Sequence, residues 1–204
     1  MPSITLLAGA DVRHLPGWMP AAEADGLLVE LLEHVQWEVH RIRLFGRQID
    51  SPRLSCWMGD PEARYRYSGA YFEPHPWLPA LMPVRRRLEE QTGARFNSVL
   101  LNRYRDGRDG MGWHSDDEPE LGPEPVIASL SLGAPRRFVL RERTAPSHKA
   151  EVVLVHGALL VMAGTTQQRF QHALPKTARP CGERINLTFR WVEPRRRGQG
   201  DGGT

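Results

Sequence analysis

The strongest constraint on the fold is a stretch near the C-terminal end in which polar and apolar residues alternate without a break. Residues 184–191 read Arg-Ile-Asn-Leu-Thr-Phe-Arg-Trp. Successive side chains of a β-strand point to opposite faces, so the stretch predicts a strand with one apolar and one polar face. The polar face carries Arg184, Asn186, Thr188 and Arg190. Two guanidinium groups on one face suit a dicarboxylate, because arginine binds carboxylates through a planar, bidentate fork.

The earlier part of the chain contains three candidate metal ligands. They are His114, Asp116 and His172, a set of two imidazoles and one carboxylate that is typical of non-haem Fe(II) and leaves half of the octahedron open. His114 and Asp116 are expected on one face of extended backbone just past a hydrophobic strand, and His172 in a polar turn after another strand. A His-x-Asp triplet is common by chance, so the prediction depends on this context. Asp117 is interpreted as a solvated or turn-capping acid.

The composition is that of a single-domain protein. A chain of 204 residues fits one domain with a sizeable core. No stretch approaches the roughly 20 apolar residues needed to span a bilayer, and the N-terminus lacks the basic head of a signal peptide. Two cysteines, Cys56 and Cys181, cannot form a disulfide framework. We therefore expect a cytoplasmic protein without membrane partners, and a monomer.

Charge is distributed unevenly, although the formal net charge is only +3. Residues 1–40 contain one arginine and six acidic residues, whereas residues 41–108 contain thirteen arginines and seven acidic residues. A basic middle segment suits a phosphate backbone and favours a nucleic-acid partner. An arginine-rich codon usage is the alternative explanation. It would account for the choice of arginine over lysine but not for the clustering.

The order of predicted elements indicates a mainly β protein with flanking helices (α+β). Apolar spacing predicts amphipathic helices over residues 21–36 and 78–91, the second ending near Gly93. Short strands are predicted over residues 96–104, 126–132, 137–141, 152–155, 159–163 and 185–192. Many short strands after helices favour an all-β sandwich or jelly roll with helical support. Residues 194–204 are expected to form a disordered tail.

Several segments together resemble the AlkB-like Fe(II)/2-oxoglutarate dioxygenases, which repair N-alkylated nucleic-acid bases. The matching segments are Asn102-Arg103-Tyr104 with Asp106-Gly107, His114-Ser115-Asp116-Asp117-Glu118, residues 127–133, Gln171-His172, residues 184–190, and upstream Pro52-Arg53 and Tyr65-Arg66-Tyr67-Ser68-Gly69. The resemblance implies a double-stranded β-helix (jelly roll) core over residues 96–193. Residues 1–95 would form an N-terminal helical extension and nucleotide-recognition lid within one structural domain.

The resemblance also implies a ligand set. His114, Asp116 and His172 would bind Fe(II), and O₂ would be a co-substrate. The 2-oxoglutarate pocket would consist of Asn102, Tyr104, Arg184, Asn186, Thr188 and Arg190. In this assignment Arg190 binds the distal carboxylate together with Asn102 and Tyr104. Arg184 lies against the iron-bound carboxylates.

The implied reaction is oxidative demethylation of 1-methyladenine and 3-methylcytosine in DNA, by hydroxylation of the alkyl group with release of formaldehyde, succinate and CO₂. A base inside a duplex cannot reach such a pocket, so the target must be unpaired or flipped out. The rival interpretations are an oxygenase of the same fold that acts on RNA or on a protein side chain, and a non-catalytic DNA-binding relative.

Substrate contacts are implied for the lid and the loop after the iron ligands. The residues are Phe45, Pro52, Arg53, Tyr65, Tyr67, Ser68, Gly69 and Glu118. Tyr67 and His114 would hold the flipped base, and Glu118 would contact its edge. Phe45 resembles a residue inserted into duplex DNA, which favours duplex over single-stranded substrates. The alternatives are a core tyrosine, a loop carboxylate and an inward-packed Phe45.

Overall fold

A computed structural model describes residues 4–39, 41–44, 47–63, 65–67 and 70–193. The strands are β1 (Ile4–Thr5), β2 (Asp11–Leu15), β3 (Arg41–Leu44), β4 (Arg47–Asp50), β5 (Leu54–Gly59), β6 (Tyr65–Tyr67), β7 (Ala70–Phe72), β8 (Ser98–Tyr104), β9 (Met111–His114), β10 (Ile127–Gly133), β11 (Arg136–Glu142), β12 (Lys149–Leu154), β13 (Ala158–Ala163), β14 (Phe170–Leu174) and β15 (Arg184–Arg190). The α-helices are α1 (Ala21–His34), α2 (Leu81–Thr92) and α3 (Thr166–Arg169). The expected tail lies outside the described residues.

The larger sheet has seven antiparallel strands in the order β1-β2-β13-β10-β15-β8-β5. The smaller sheet has four, in the order β12-β11-β14-β9, and β3-β4 and β6-β7 form two separate ribbons. This arrangement confirms the mainly β fold with flanking helices. Because β2 and β5 pair with β13 and β8, the N-terminal part contributes strands to the sheet as well as helices. The expected boundary near residue 95 therefore does not separate two sheets.

Two apolar clusters cover the two faces of the larger sheet. One cluster lies between the sheets and combines Val12 and Ile127 of the larger sheet with Phe138 and Leu140 of the smaller one. The other joins the opposite face of the larger sheet to the helices, through residues such as Leu31 and Leu88. Helices on one face and a second sheet on the other explain why every residue of β15 is buried. The apolar face of β15 packs toward the helices, so its polar face is directed between the two sheets.

Both predicted helices are present. α1 ends at His34, two residues before the predicted end, where Val35 adopts an extended backbone. α2 ends as predicted at Gly93, whose φ of 70° is the left-handed conformation and whose N–H donates to the carbonyl of Glu89 at 2.8 Å. No helix of the described residues is long and apolar enough to cross a membrane.

Five strands of the two sheets were absent from the prediction, namely β1, β2, β5, β9 and β14. This changes the setting of the metal ligands: His172 lies inside β14 and not in a polar turn, and His114 is the last residue of β9. Both strands are short and poor in β-branched residues, so their sequences carry a weak strand signal. They become strands because each is hydrogen-bonded to a neighbour from a distant part of the chain.

Candidate metal centre and co-substrate pocket

The three candidate metal ligands meet between the sheets. His114 and His172 are directly paired across β9 and β14, and Asp116 follows two residues after the end of β9. One potential ligand atom from each of the three lies within 4.8 Å of the others. The imidazole rings meet edge-on with centroids 4.1 Å apart. The structure therefore brings together the three residues that the sequence indicated as candidate ligands.

Hydrogen bonds orient two of the ligands. Nδ1 of His114 donates to the carbonyl of Gly112 at 2.9 Å, which directs Nε2 toward Asp116, 3.9 Å from its Oδ1. A metal-binding histidine commonly has its tautomer fixed in this way. The other carboxylate oxygen of Asp116, Oδ2, lies 2.9 Å from Nη2 of Arg190. The main-chain N–H of Asp116 donates to Oε1 of Gln167 at 2.9 Å. Oδ1 is thus directed toward the imidazoles.

The protonation states at this centre suit a cation. Burial raises the pKa of Asp116, but Arg190 and the two histidines outweigh it and hold the pKa below its usual range. Burial, followed by the charge of His114, lowers the pKa of His172 to about 3. At neutral pH the carboxyl is therefore ionised and this imidazole is neutral. Those are the forms that bind metals.

The opposite end of the pocket contains a buried arginine without an acidic partner. Arg184 is 1% exposed, and its Nη2 donates to Oγ of Ser131 at 2.9 Å and to Oδ1 of Asn186 at 2.7 Å. Its guanidinium carbon lies 5.3 Å from the ring centre of Tyr104. Among the described residues no carboxylate lies within ion-pair distance of Arg184. Burial lowers its pKa to about 10, so it remains a cation at neutral pH.

Polar side chains connect the two ends. Nδ2 of Asn186 donates to Oγ1 of Thr188 at 2.9 Å, and Oδ1 of Asn186 also accepts a bond from Ser129. Asn102 is paired with Asn186 across β8 and β15, and its Oδ1 accepts a bond from Nε of Arg53 at 2.8 Å. All six residues expected to bind 2-oxoglutarate line one cavity with the metal ligands.

The two arginines of β15 lie at the ends opposite to those expected. Arg190, expected at the distal carboxylate with Tyr104, is paired with the metal ligand Asp116. Arg184, expected near the iron, is the arginine beside Tyr104. The reason is the register: Arg184 is paired with Tyr104 in β8, whereas Arg190 is paired with Ser98 at the other end of that strand. The sequence predicted the shared face of the arginines but not their direction.

The expected substrate contacts are only partly described. Pro52 and Arg53 lie in the turn before β5, where Arg53 contacts Asn102. Glu118 lies half-buried in the loop after the candidate metal ligands. Phe45, Ser68 and Gly69 lie outside the described residues, as do the side chains of Tyr65 and Tyr67.

Four further residues shape the site and were not predicted. Ser129 donates to Asn186, Ser131 accepts a bond from Arg184, and Gln167 accepts one from the main-chain N–H of Asp116. The ring centre of Phe138 lies 5.4 Å from that of His172. The alternation of polar and apolar residues over 127–133 could have indicated the two serines. Gln167 and Phe138 reach the site through tertiary contacts and have no local signal.

Comparison with known proteins agrees with this geometry. Residues 11–190 match the 2OG-Fe(II) oxygenase superfamily. The chain is also 42% identical over 183 residues to the DNA oxidative demethylase ALKBH2 of Mus musculus. The aligned region covers 85% of this chain and 77% of that protein. The chain belongs to the AlkB-like 2OG-Fe(II) oxygenases. Membership in this family implies Fe(II), 2-oxoglutarate and O₂, and the described triad and pocket fit the first two.

Two further relatives extend the comparison. The alpha-ketoglutarate-dependent dioxygenase alkB homolog 3 of Rattus norvegicus is 44% identical over 192 residues, which are 90% of this chain and 64% of that protein. The chain thus spans a little less than two thirds of this relative. The solved structure of OsALKBH1 has a TM-score of 0.61, covers 93% of this chain and 99% of its own, and is 16% identical. At that identity it supports the fold, including the expected jelly-roll core, and nothing more.

Proposed function

We propose that this AlkB-like oxygenase is an oxidative demethylase of alkylated DNA bases, with 1-methyladenine and 3-methylcytosine as substrates. The observation that carries the proposal is one buried pocket with a His-Asp-His triad at one end and the acid-free cation Arg184 at the other. Such a pocket suits a metal and a dicarboxylate at the same time. A non-catalytic DNA-binding protein needs neither feature.

The chain's residues have separate tasks in this reaction. His114, Asp116 and His172 would hold Fe(II), which supplies the redox chemistry that couples decarboxylation of 2-oxoglutarate to hydroxylation of an alkyl group by O₂. Arg190 keeps Asp116 ionised and directs its Oδ1 toward the imidazoles. The hydroxylated methyl group then leaves the base nitrogen as formaldehyde.

The dicarboxylate would lie along the polar face of β15. A buried guanidinium without a carboxylate is unfavourable on its own. Arg184 therefore favours an anion at its end of the pocket, which we call the closed end because Arg184 is 1% exposed. We assign the distal carboxylate to Arg184 with Tyr104, and the keto-acid end to the neighbourhood of the triad. Asn102 would contribute its Nδ2, since its Oδ1 already accepts a bond from Arg53. Asn186 and Thr188 would line the middle of the pocket.

Two observations favour DNA as the substrate. The relative ALKBH2 is called a DNA oxidative demethylase. The segment 41–108 is rich in arginine, which suits a phosphate backbone. We propose that Tyr67 and His114 hold the flipped base and that Glu118 contacts its edge, with Pro52, Arg53, Tyr65, Ser68 and Gly69 completing the lid. A preference for duplex DNA, a cytoplasmic location and a monomeric state are part of the same proposal. RNA is the second candidate substrate.

The test is mass spectrometry of a DNA oligonucleotide that contains 1-methyladenine, incubated with the protein, Fe(II), ascorbate and 2-oxoglutarate. We expect loss of the methyl mass together with stoichiometric succinate and formaldehyde. An RNA oligonucleotide of the same sequence and a mixture of basic peptides are run in parallel. Succinate production that only the RNA or the peptides stimulate would assign the pocket to another substrate.

The duplex preference rests on Phe45. A ring that fills the gap left by a flipped base offsets an unstacking cost that exists only in a duplex. Phe45→Ala should therefore lower kcat/KM on a methylated duplex about tenfold more than on the same lesion in a single strand. Equal losses on both substrates would make Phe45 a packing residue and remove the support for a duplex substrate.

A further inference from the structure

The outer face of the smaller sheet carries an exposed aromatic residue next to a metal ligand. Trp113 of β9 is 40% exposed, and the guanidinium carbon of Arg141 lies 4.0 Å from its ring centre. Nη2 and Nε of Arg141 donate to Oε1 of Gln171 at 2.9 and 3.3 Å. Three adjacent strands, β9, β14 and β11, thus build one rigid group. We name Trp113, Arg141 and Gln171 the stacking platform.

Other arginine–tryptophan stacks in the described part of the chain differ from the platform. In three of them the arginine also pairs with a carboxylate: Arg87 on Trp18 with Glu23, Arg85 on Trp77 with Asp60, and Arg103 on Trp37 with Glu183. Arg95 on Trp191 and Arg141 on Trp113 have no carboxylate within ion-pair distance among the described residues. Of these two tryptophans, Trp113 alone is exposed. The platform therefore offers a partly exposed tryptophan ring, with Arg141 over one face, and an unneutralised cation.

The neighbouring arginines on this sheet do not share that property. Arg137, on the same face of β11, pairs with Glu151 at 3.2 Å, and Arg143 pairs with Asp117 at 2.8 Å. Their charges are already balanced locally. Arg141 is the cation whose position, fixed by Gln171 and the tryptophan ring, leaves it available to a phosphate.

The tryptophan of the platform lies on the strand that ends at the candidate metal ligand His114. Trp113 immediately precedes His114 in β9, so the two side chains point to opposite faces of that strand. β9 is the edge strand of its sheet, and the side chain of His114 is 24% exposed whereas that of Asp116 is 5% exposed. The pocket is therefore more open beside β9 than at Asp116. A chain that leaves the pocket across this edge reaches Trp113 next.

We propose that the stacking platform binds an unpaired nucleotide next to the target base on the same strand, with the base on Trp113 and its phosphate on Arg141. The proposal rests on the proposed nucleic-acid substrate. Base–aromatic stacking is tolerant of sequence because every base has a π-face, and arginine adds cation–π and phosphate contacts. In a duplex the neighbouring base is paired and cannot stack on Trp113. The platform therefore adds to the binding of single strands, whereas the proposed preference for duplexes rests on Phe45.

The experiment measures oligonucleotide binding by fluorescence anisotropy, with protein loaded anaerobically with Fe(II) and 2-oxoglutarate. The ligands are a single strand and a duplex, each with one 1-methyladenine. We expect Trp113→Ala to weaken single-strand binding about tenfold and duplex binding less than twofold. Trp113→Phe should recover most of the affinity. Arg141→Gln should weaken single-strand binding and reduce the magnitude of its salt dependence by about one ionic contact.

Arg137→Gln is the matched control, since it removes an arginine from the same strand and face that already has a carboxylate partner. It should leave both affinities unchanged. Calorimetric binding of 2-oxoglutarate should be the same in all variants, which excludes a damaged pocket. Unchanged single-strand affinity in Trp113→Ala, or equal losses on both ligands, would overturn the platform. If the unaltered protein binds neither oligonucleotide, the proposed nucleic-acid function fails instead.

Discussion

The two ends of the pocket carry the same residue type in different electrostatic settings. At the metal end, Arg190 is paired with the ionised Asp116, so its charge is balanced within the protein. At the closed end, Arg184 donates to Ser131 and Asn186, which are neutral. An arginine whose charge is balanced by a carboxylate of the protein orients a ligand of the metal. An arginine without such a partner favours the carboxylate of a bound small molecule. One residue type therefore serves two tasks because its partners differ.

Removal of a metal ligand should have the largest effect and would test whether the metal end has been assigned correctly. We expect His172→Ala to reduce turnover by about a thousandfold or more, because Fe(II) would lose one of three protein ligands. The measurements are succinate release and calorimetric binding of Mn(II). His148→Ala is the control, since this half-exposed histidine pairs with Glu142 away from the pocket. Turnover retained in His172→Ala with added Fe(II) would contradict the assignment.

Removal of the charge at the closed end should come next. Arg184→Met keeps much of the side-chain volume and removes the proposed partner of a buried carboxylate, a change that can cost about 2–5 kcal/mol. The KM for 2-oxoglutarate should rise about 30-fold or more, with the Kd for Mn(II) unchanged. Arg184→Lys should give an intermediate KM. An unaltered KM in Arg184→Met would move the distal carboxylate to another residue.

The same substitution at the metal end should give the reverse pattern. Arg190→Met leaves Asp116 without its cation, and loss of a residue that orients a metal ligand typically weakens metal binding about tenfold. The Kd for Mn(II) should rise by that factor, with a smaller change in the KM for 2-oxoglutarate than Arg184→Met produces. A large rise in that KM with unaltered Mn(II) binding would return the distal carboxylate to Arg190.

The smallest effect concerns stability against pH in the metal-free protein. The buried His172 has a pKa of about 3, whereas an unfolded histidine titrates near 6.5, so the unfolded chain binds a proton first as the pH falls. Stability should therefore be fully present above about pH 6.5 and decline below it. The decline due to His172 should reach about 1–2 kcal/mol by pH 5.

The measurement is the free energy of unfolding in urea with a chelator present, as a function of pH. His172→Gln should show a shallower decline than the unaltered protein. Some decline should remain, because burial also lowers the pKa of His14. Parallel curves for the two proteins would show that His172 is not buried in its neutral form.

Some features of the site were predictable from the sequence alone. The alternation over residues 184–190 is a local property, and it predicted both the strand and the shared face of Arg184 and Arg190. Donor chemistry identified His114, Asp116 and His172 because few side chains can hold Fe(II). The ends of both main helices were also predicted within a few residues, since apolar spacing and Gly93 are local signals.

The tertiary structure decided the features that depend on strand pairing. β9 and β14 have little strand propensity of their own, and they exist because distant segments hydrogen-bond to them. Register decided that Arg184 lies beside Tyr104 and that Arg190 lies at the metal end. Spacing within a strand fixes which side chains share a face. Strands and loops that are distant in sequence decide which side chains contact each end of that face. They therefore decide which of the two arginines has no carboxylate partner.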